Sequence, residues 1–502
     1  MGLRAVARRS RTSTALLVGV ALVSAACGAR VGPYLGAGGA AGSQVGAGSG
    51  SGPGASGSGG ATQTGSGPVS QSGPTAAGNG GKVIGAPASS GPAVPASQLT
   101  PANFPYSPAQ QAALCPGAAG NTASDVGVTS TTITLGNVSG LTGILANNFE
   151  QGSEAVQALF SAINAAGGIC GRQLKLLVED DGQDAGKNAA DIADEIPKVF
   201  AFVGSLSDGD NGGVQEMVNA KVPDIGVAIN PNRGVSPVYW STNGSTYYVV
   251  NGHPEIYNSF TNGLKALAKF PTKIATLSYS IPISASAGQE FQNLFVHEGA
   301  QNCFTDFSVS PATASLDQDV IEMKQRGCDG VFTTMDVTGN AKLLQAMQRQ
   351  GFHPVYEGTT FDGYTPAQIE VAGQDTAQNF EAVLPFIPFT DNQPEVNLYQ
   401  QMLQTYEPGK QPSGFGIESW ASAEMFIYAL IKAGHNPTRN SLTQILQSID
   451  SWDTGGATAP ITPRMRLPAG PCTMDVIVRG NNYVRKWPAS GFFCNGQLVP
   501  VG

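Results

Sequence analysis

Histidine is scarce in this sequence: four in 502 residues, scattered at His253, His297, His353 and His435. No CxxC pair and no Cys/His cluster at ligand spacing joins them, which argues against zinc, and no metal is expected. A GxSxG elbow, a Walker A loop and a GxGxxG at a strand-to-helix turn are all missing. The chemistries those motifs carry go with them, and neither an enzyme nor a cofactor is expected. Charged residues make up only 13% of the chain, and no dense basic patch follows the first residues. Nucleic acid is therefore not an expected partner. The net charge of −9 and pI near 5.0 favour solubility and say little about a ligand. No apolar run reaches the roughly 20 residues that a spanning helix needs.

Glycine is abundant, 65 residues, with the excess concentrated before residue 100. Residues 1–26 read as a secretory signal. Arg4, Arg8, Arg9 and Arg11 precede a short apolar core at 15–23. Cys27 follows Ser24-Ala25-Ala26 and resembles a lipobox cysteine, which is acylated and becomes the new N-terminus. Ser24 departs from that pattern, which prefers Leu; the other reading is plain cleavage near Ala26 with Cys27 left free. Residues 28–98 form a Gly/Ser/Ala/Pro tether with almost no large apolar side chain, and nothing there offsets the entropy of ordering. Such a chain spans about 45 Å end to end. It either links an anchor to a folded body or is a neutral spacer.

From residue 132 short apolar runs alternate with helical patterns. Residues 133–135, 174–178, 201–203 and 225–229 read as strands buried on both faces. Phe149, Val156, Leu159, Phe160 and Ile163 recur at helical spacing between the first two. Strand, helix, strand in this rhythm means a parallel sheet with right-handed crossovers. A last short strand falls at 238–241 and a hinge at 242–245. A second run follows, with strands at 274–279, 304–309, 330–333, 355–357 and 380–385. Helices alternate with them at 257–270, 287–300, 316–326 and 340–350. Helices at 396–406, 416–433 and 441–449 come next, then a hairpin of 473–478 and 483–487.

Leaving Cys27 aside, six cysteines remain behind the export signal, and six allow 15 pairings. Sequence neighbourhood favours Cys303–Cys328 and Cys472–Cys494, which leaves Cys115 and Cys170. The alternative is free buried thiols.

Leu-Thr-Gly at 141–143, INAAGGICGR at 163–172, LKLLVEDDGQD at 174–184, FVGSLSD at 202–208 and VPDIGV at 222–227 occur in this order. Together they resemble the type I periplasmic binding proteins, and within them the branched-chain amino-acid receptors of ABC transporters. The resemblance runs from about residue 126 to the end. It implies an α/β fold of two doubly wound parallel-sheet lobes joined by a multi-strand hinge. The first lobe would hold residues 99–244 and 386–452, the second 245–385 and 453–502. It implies a monomeric, extracytoplasmic solute-binding protein; with the lipobox-like Cys27, that protein would be anchored to the outer face of the cell membrane. That protein would take a small polar ligand, an amino acid or related amide, by hinge closure and deliver it to an ABC permease. The other reading is a ligand-sensing or scaffold module of the same fold, not coupled to transport.

Ligands of such sheets sit beyond the carboxyl ends of the strands. The loop Ser205-Leu206-Ser207-Asp208 leads to a helix start near Gly213, whose free N–H groups suit a carboxylate, and Ser205 and Ser207 add hydroxyl donors. Alternatively Ser207 or Asp208 only caps the helix, and Asp208 would repel an anion. Ala228, Ile229 and Asn230 would present backbone groups beside that loop. The second lobe would supply Asp336 and the loop of Phe361, Asp362 and Tyr364. By resemblance Asp362 pairs with a ligand ammonium; by itself Asp362-Gly363 is an ordinary turn. Phe361 and Tyr364 either wall the pocket or pack at the hinge. Asp180-Asp181 looks like a catalytic pair, but adjacent acids at a strand end read better as a solvated turn or a helix cap. The family's common Tyr-Gly after the first strand of the second lobe is replaced by Ser280-Ile281-Pro282-Ile283-Ser284, which leaves the ligand's identity open.

Overall fold

The computed structural model describes residues 94–143, 145–242, 248–250, 253–465 and 470–502. The expected signal, Cys27, the tether as far as residue 93 and residues 243–245 of the expected hinge lie outside that set. Two 3-10 turns, Ala96–Gln98 and Pro101–Asn103, and helix α1 (Pro108–Leu114) lead in. The first alternation is β1 (Thr132–Ser139), α2 (Ala146–Ala165), β2 (Gln173–Asp180), α3 (Ala185–Glu195), β3 (Phe202–Val203), α4 (Val214–Ala220), β4 (Asp224–Ile225), α5 (Pro231–Gly234) and β5 (Tyr239–Trp240). Strands β6 (Tyr248–Val250) and β7 (His253–Tyr257) follow. The second alternation is α6 (Ser259–Ala266), β8 (Lys273–Tyr279), α7 (Pro282–His297), β9 (Gln301–Val309), α8 (Asp317–Arg326), β10 (Gly330–Thr333), α9 (Val337–Gln350) and β11 (Tyr356–Thr359). It continues through α10 (Pro366–Ala372), α11 (Gln374–Ala377) and β12 (Glu381–Leu384). Helices α12 (Pro394–Tyr406), α13 (Gly414–Ala433) and α14 (Arg439–Gln447) come next. The chain closes on β13 (Cys472–Arg479), β14 (Asn482–Trp487), β15 (Phe493–Cys494) and β16 (Leu498–Pro500).

The first sheet has the order β2-β1-β3-β4-β5, parallel throughout. The second repeats that order as β9-β8-β10-β11-β12, again parallel. It then adds β13 and β14 antiparallel at the β12 edge, with β15 paired to β13. The second lobe is therefore mixed, because the tail returns as a hairpin. A third, small antiparallel sheet joins β6, β7 and β16. Both large sheets thus change direction between their first and third strands, and there the carboxyl ends diverge to leave a crevice.

Helix α2 buries Phe149, Val156, Leu159, Phe160 and Ile163. It packs along α13, which is buried on every side from Phe415 to Ile431. Its side chains are mostly apolar on every face, as a core helix requires, with Glu418, Ser419, Ser422 and Glu424 buried among them. Gly152 makes the crossing possible: a Cβ there would meet Ser419 Oγ at 2.9 Å. The largest core spans β1, α2 and α13 and continues into Ala341, Tyr364 and Met474 of the second sheet's elements.

Two predicted strands shift. The one expected at 355–357 is β11, and Val355 before it stays 47% exposed. The one expected at 225–229 leaves the ladder after Ile225. There Tyr239 OH donates to Gly226 O at 2.9 Å and Arg233 to Val227 O at 3.0 Å, so side chains replace a strand partner.

Three disulfides pair Cys115 with Cys170, Cys303 with Cys328, and Cys472 with Cys494. The first ties the end of α1 to the turn after α2. Mass spectrometry of the non-reduced, alkylated protein should find all six thiols blocked; two or more alkylated among them would contradict the scheme. Removing Cys115–Cys170 should cost about 2–5 kcal/mol.

Candidate ligand-binding cleft

Gly204 turns the chain out of β3 with φ of +69°, and a Cβ there would sit 2.4 Å from Val156. The loop that follows is fixed from within. Val138 N donates to Ser205 Oγ at 3.1 Å. Ser207 Oγ donates to Asp181 at 2.8 Å and accepts from Gly209 N at 2.9 Å. Both serines are buried and neither lines the cleft. Asp181 is not in a solvated turn: it is buried, and it also accepts from Asn188 Nδ2 at 2.8 Å and Gln183 N at 2.8 Å. Asp180 accepts from Leu141 N, Thr142 N and Gly182 N. The acid pair organises two loops, while Asp184 caps α3.

Arg233 is the centre of this side, and its sequence gives no hint of it. It donates through Nε and Nη2 to Asp224, both at 2.8 Å. Nη1 reaches Ser205 O at 2.9 Å, Val227 O at 3.0 Å and Asp210 at 3.2 Å. Asp210 in turn accepts from Ile229 N at 2.7 Å and from Asn230 N at 3.0 Å. Those two N–H groups, expected to face a ligand, are thereby satisfied inside the fold. Asn230 Nδ2 binds Asp208 O at 2.8 Å and Asp210 at 2.7 Å. Asn230 stays outside the cleft wall, whereas Ala228, Ile229 and Asp208 form part of it.

On the other side Asp336 caps α9, accepting from Gly339 N at 2.9 Å, and Tyr279 OH donates to the same carboxylate. Burial, then Asp336, pushes the Tyr279 phenol up. Ser284 Oγ donates to Thr334 O at 3.0 Å, which locks the start of α7 to the end of β10. Phe361 and Asp362 lie in a 3-10 turn after β11, where Thr360 donates to Asp362. Tyr364 lies behind that turn. It is 2% exposed, takes a hydrogen bond from Phe389 N at 2.6 Å and packs on Phe389 and Tyr483, so of its two readings the structure has the packing one.

Between the two sides lies a cavity of about 190 Å³. Its aromatic wall is Phe149 of α2, Phe415 of α13 and Phe361, with ring centroids 5.9 and 5.2 Å apart. Asp208, Asp336 and Asp362 face it, and no Lys, Arg or His is among the described residues that line it. Burial, with Asp210 and Asp181 nearby, pushes the Asp208 carboxyl up to about 7. Burial, with Asp336 nearby, does the same for Asp362, to about 7. Such a site repels anions and offers apolar surface to the body of a ligand. Phe415 and the 256–260, 383–385 and 470–473 stretches of the lining come from distant segments with no motif of their own.

Elsewhere Cys115, Cys170 and His435 draw together, with Cys115 Sγ 3.9 Å from His435 Nε2. The sulfurs are already bonded to each other, which leaves no thiolate for a metal.

A family model described as periplasmic binding protein matches residues 132–477, more than half of the chain. Among solved structures the chain is similar to a fatty acid ABC transporter substrate-binding protein from Thermomonospora curvata. That match has 18% identity and a TM-score of 0.62, over 76% of this chain and 96% of the other. A branched-chain amino-acid ABC transporter protein from Thermus thermophilus with bound valine matches at 15% identity and TM-score 0.61, over 73% and 97%. The substrate-binding protein LivJ from Streptococcus pneumoniae, with isoleucine, matches at 14% and 0.57, over 74% and 100%. A search of curated proteins found no match.

Proposed function

The chain belongs to the type I periplasmic binding protein family, and on that premise we propose that it is the lipid-anchored receptor of an ABC importer. Members of the family are solute-binding proteins, not enzymes; they bind small molecules outside the cytoplasm and work with ABC permeases. Among the described residues no helix is long and apolar enough to cross a membrane. The solute enters the cavity between the carboxyl ends of the two sheets, and the lobes close on it. Closure is favoured only by contacts that the closed state alone makes.

The lining of that cavity carries the reading. Phe149, Phe361, Phe415 and Ile229 suit an apolar body, and Asp208, Asp336 and Asp362 suit a neutral or cationic end. Valine, isoleucine and fatty acid, the solutes named for the similar structures, all have apolar bodies. Of the expected solutes, an amino-acid amide therefore fits through its side chain and amino group, whereas the free amino acid would bring its carboxylate against these acids.

A thermal-shift screen over amino acids, amides, amines and sugars tests this. A true solute at about 100 times its Kd should stabilise by roughly 2.7 kcal/mol. Asp362→Asn should weaken a cationic or zwitterionic solute about ten- to a hundredfold and leave a neutral one unchanged. Because Asp208 and Asp362 ionise near pH 7, a cationic solute should bind more tightly at pH 8 than at pH 6. Equal affinity in both comparisons would move the polar end away from these carboxylates. The anchor is tested separately: Cys27→Ala should leave the protein in the aqueous phase of a detergent partition with an unchanged melting temperature. A mutant that stays in the detergent phase contradicts the lipid assignment.

A further inference from the structure

We infer that the cleft has a second, apolar arm that accepts an extended aliphatic chain, so that the solute is a single-chain amphiphile with a neutral or cationic head. The inference rests on the receptor reading above and names its solute class. Its basis is the reach of the cavity along α7. Ile283, Ala287 and Phe291 all line it, at positions i, i+4 and i+8. They stand on one face of the helix, and eight residues at 1.5 Å each extend about 12 Å. One end of this stripe lies at the polar side of the cleft, because Ser284, next to Ile283, accepts from Tyr279 N and donates to Thr334 O, and Tyr279 OH donates to Asp336. The other reaches Phe291, whose ring lies 4.5 Å from Phe332 within the apolar core of the second sheet.

The walls along this arm come from elements outside the crevice between the two sheets. Ile256 belongs to β7, Phe260 to α6, Val383 to β12 and Thr473 to β13. None of them carries a charge, and Ile256, Phe260, Phe291 and Val383 belong to one apolar cluster. A compact zwitterion held at Asp336 and Asp362 leaves this arm unfilled. A flexible hydrocarbon chain fills it and removes its apolar surface from water. Asp336 and Asp362 choose the head: an amine, alcohol or amide is accepted, and a carboxylate is repelled.

The test is calorimetry with hexylamine, octylamine, decylamine, decanol and decanoate below their micellar concentrations. Affinity for the amines should rise about fourfold per added methylene, the value expected for burial of a CH₂ group. Decanoate should bind at least tenfold more weakly than decylamine. Ala287→Phe should fill the arm, so that affinity no longer climbs from hexyl to decyl while hexylamine still binds. Thr473→Met is a second filling variant, used if Ala287→Phe lowers the melting temperature. An affinity independent of chain length, or one that climbs equally in wild type and both variants, overturns the arm. Decanoate binding as tightly as decylamine overturns the head-group choice. If short amines bind and Asp362→Asn weakens them while chain length has no effect, the arm fails and the receptor reading stands. If no solute of any class binds, both fail.

Discussion

Arg233→Met is expected to lower stability by about 3–5 kcal/mol and to abolish solute binding at concentrations that saturate the wild type. Arg233 is 1% exposed, and its guanidinium answers two buried carboxylates, Asp224 and Asp210, as well as two carbonyls, Ser205 O and Val227 O. Removing it leaves both charges in the interior without a counter-charge, and the cost is theirs rather than the net worth of the pairs. Asp210 also holds Ile229 N and Asn230 N, so the loop that forms one wall of the cleft loses its support. Arg233→Lys should rescue little, because a single ammonium cannot replace a fork that reaches Asp224 through two nitrogens while a third serves Asp210. Denaturant melts give the first quantity and calorimetry the second. A variant within 1 kcal/mol of wild type that still binds would show that the ion cluster does not support the cleft.

The second large effect is a loss of stability as pH rises. Glu418 of α13 is fully buried, and burial pushes its carboxyl up to about 8 against a hydrogen bond from Thr242. Asp475 on β13 is likewise pushed up to about 8, by burial and by Glu381. In the unfolded chain such groups ionise near pH 4. Between pH 4 and 8 the folded state therefore binds more protons, and stability falls as pH rises through that window. Carboxylates that hydrogen bonds hold low, Asp180 and Asp329, titrate below it. For Glu418 alone the linkage is on the order of 4–5 kcal/mol. The wild-type melting temperature should drop by roughly 5–10 °C from pH 5.5 to pH 8.5. Glu418→Gln, which keeps the shape and cannot ionise, should flatten part of that slope, with Asp475, Glu195 and Glu357, each pushed up to about 8 by burial, carrying much of the rest. A melting temperature that rises over this range, or a variant with the wild-type slope, contradicts the assignment of a buried proton to Glu418.

Alternation of apolar runs with helical patterns was enough to read β8, β10, α2 and the C-terminal hairpin, because each is specified by neighbours in sequence. The β6-β7-β16 sheet was not legible: Val499 pairs with Ile256, and nothing local in either segment announces it. The cleft divides the same way. Its loops were readable from a positional rule, since ligands lie past the carboxyl ends of parallel strands. The duties of the side chains in them were not. Ser207 turns to Asp181, Ser205 takes Val138 N, and Asp210 takes the amides of Ile229 and Asn230. Each of these partners is 19 or more residues away, so hydroxyls and amides that sequence offered to a ligand are used by the fold. Arg233 is the complementary omission. A lone arginine after a strand end looks like a surface charge until Asp224 and Asp210 are seen on either side of it.

A crystal structure of the protein with the best solute from the screen decides whether the solute is held between the carboxyl ends of the two sheets. Ligand density is expected between Phe149, Ile229, Phe361 and Phe415, with its polar end within hydrogen-bond distance of Asp336 or Asp362. Density for the same solute anywhere else on the protein, with this cavity empty, would contradict it.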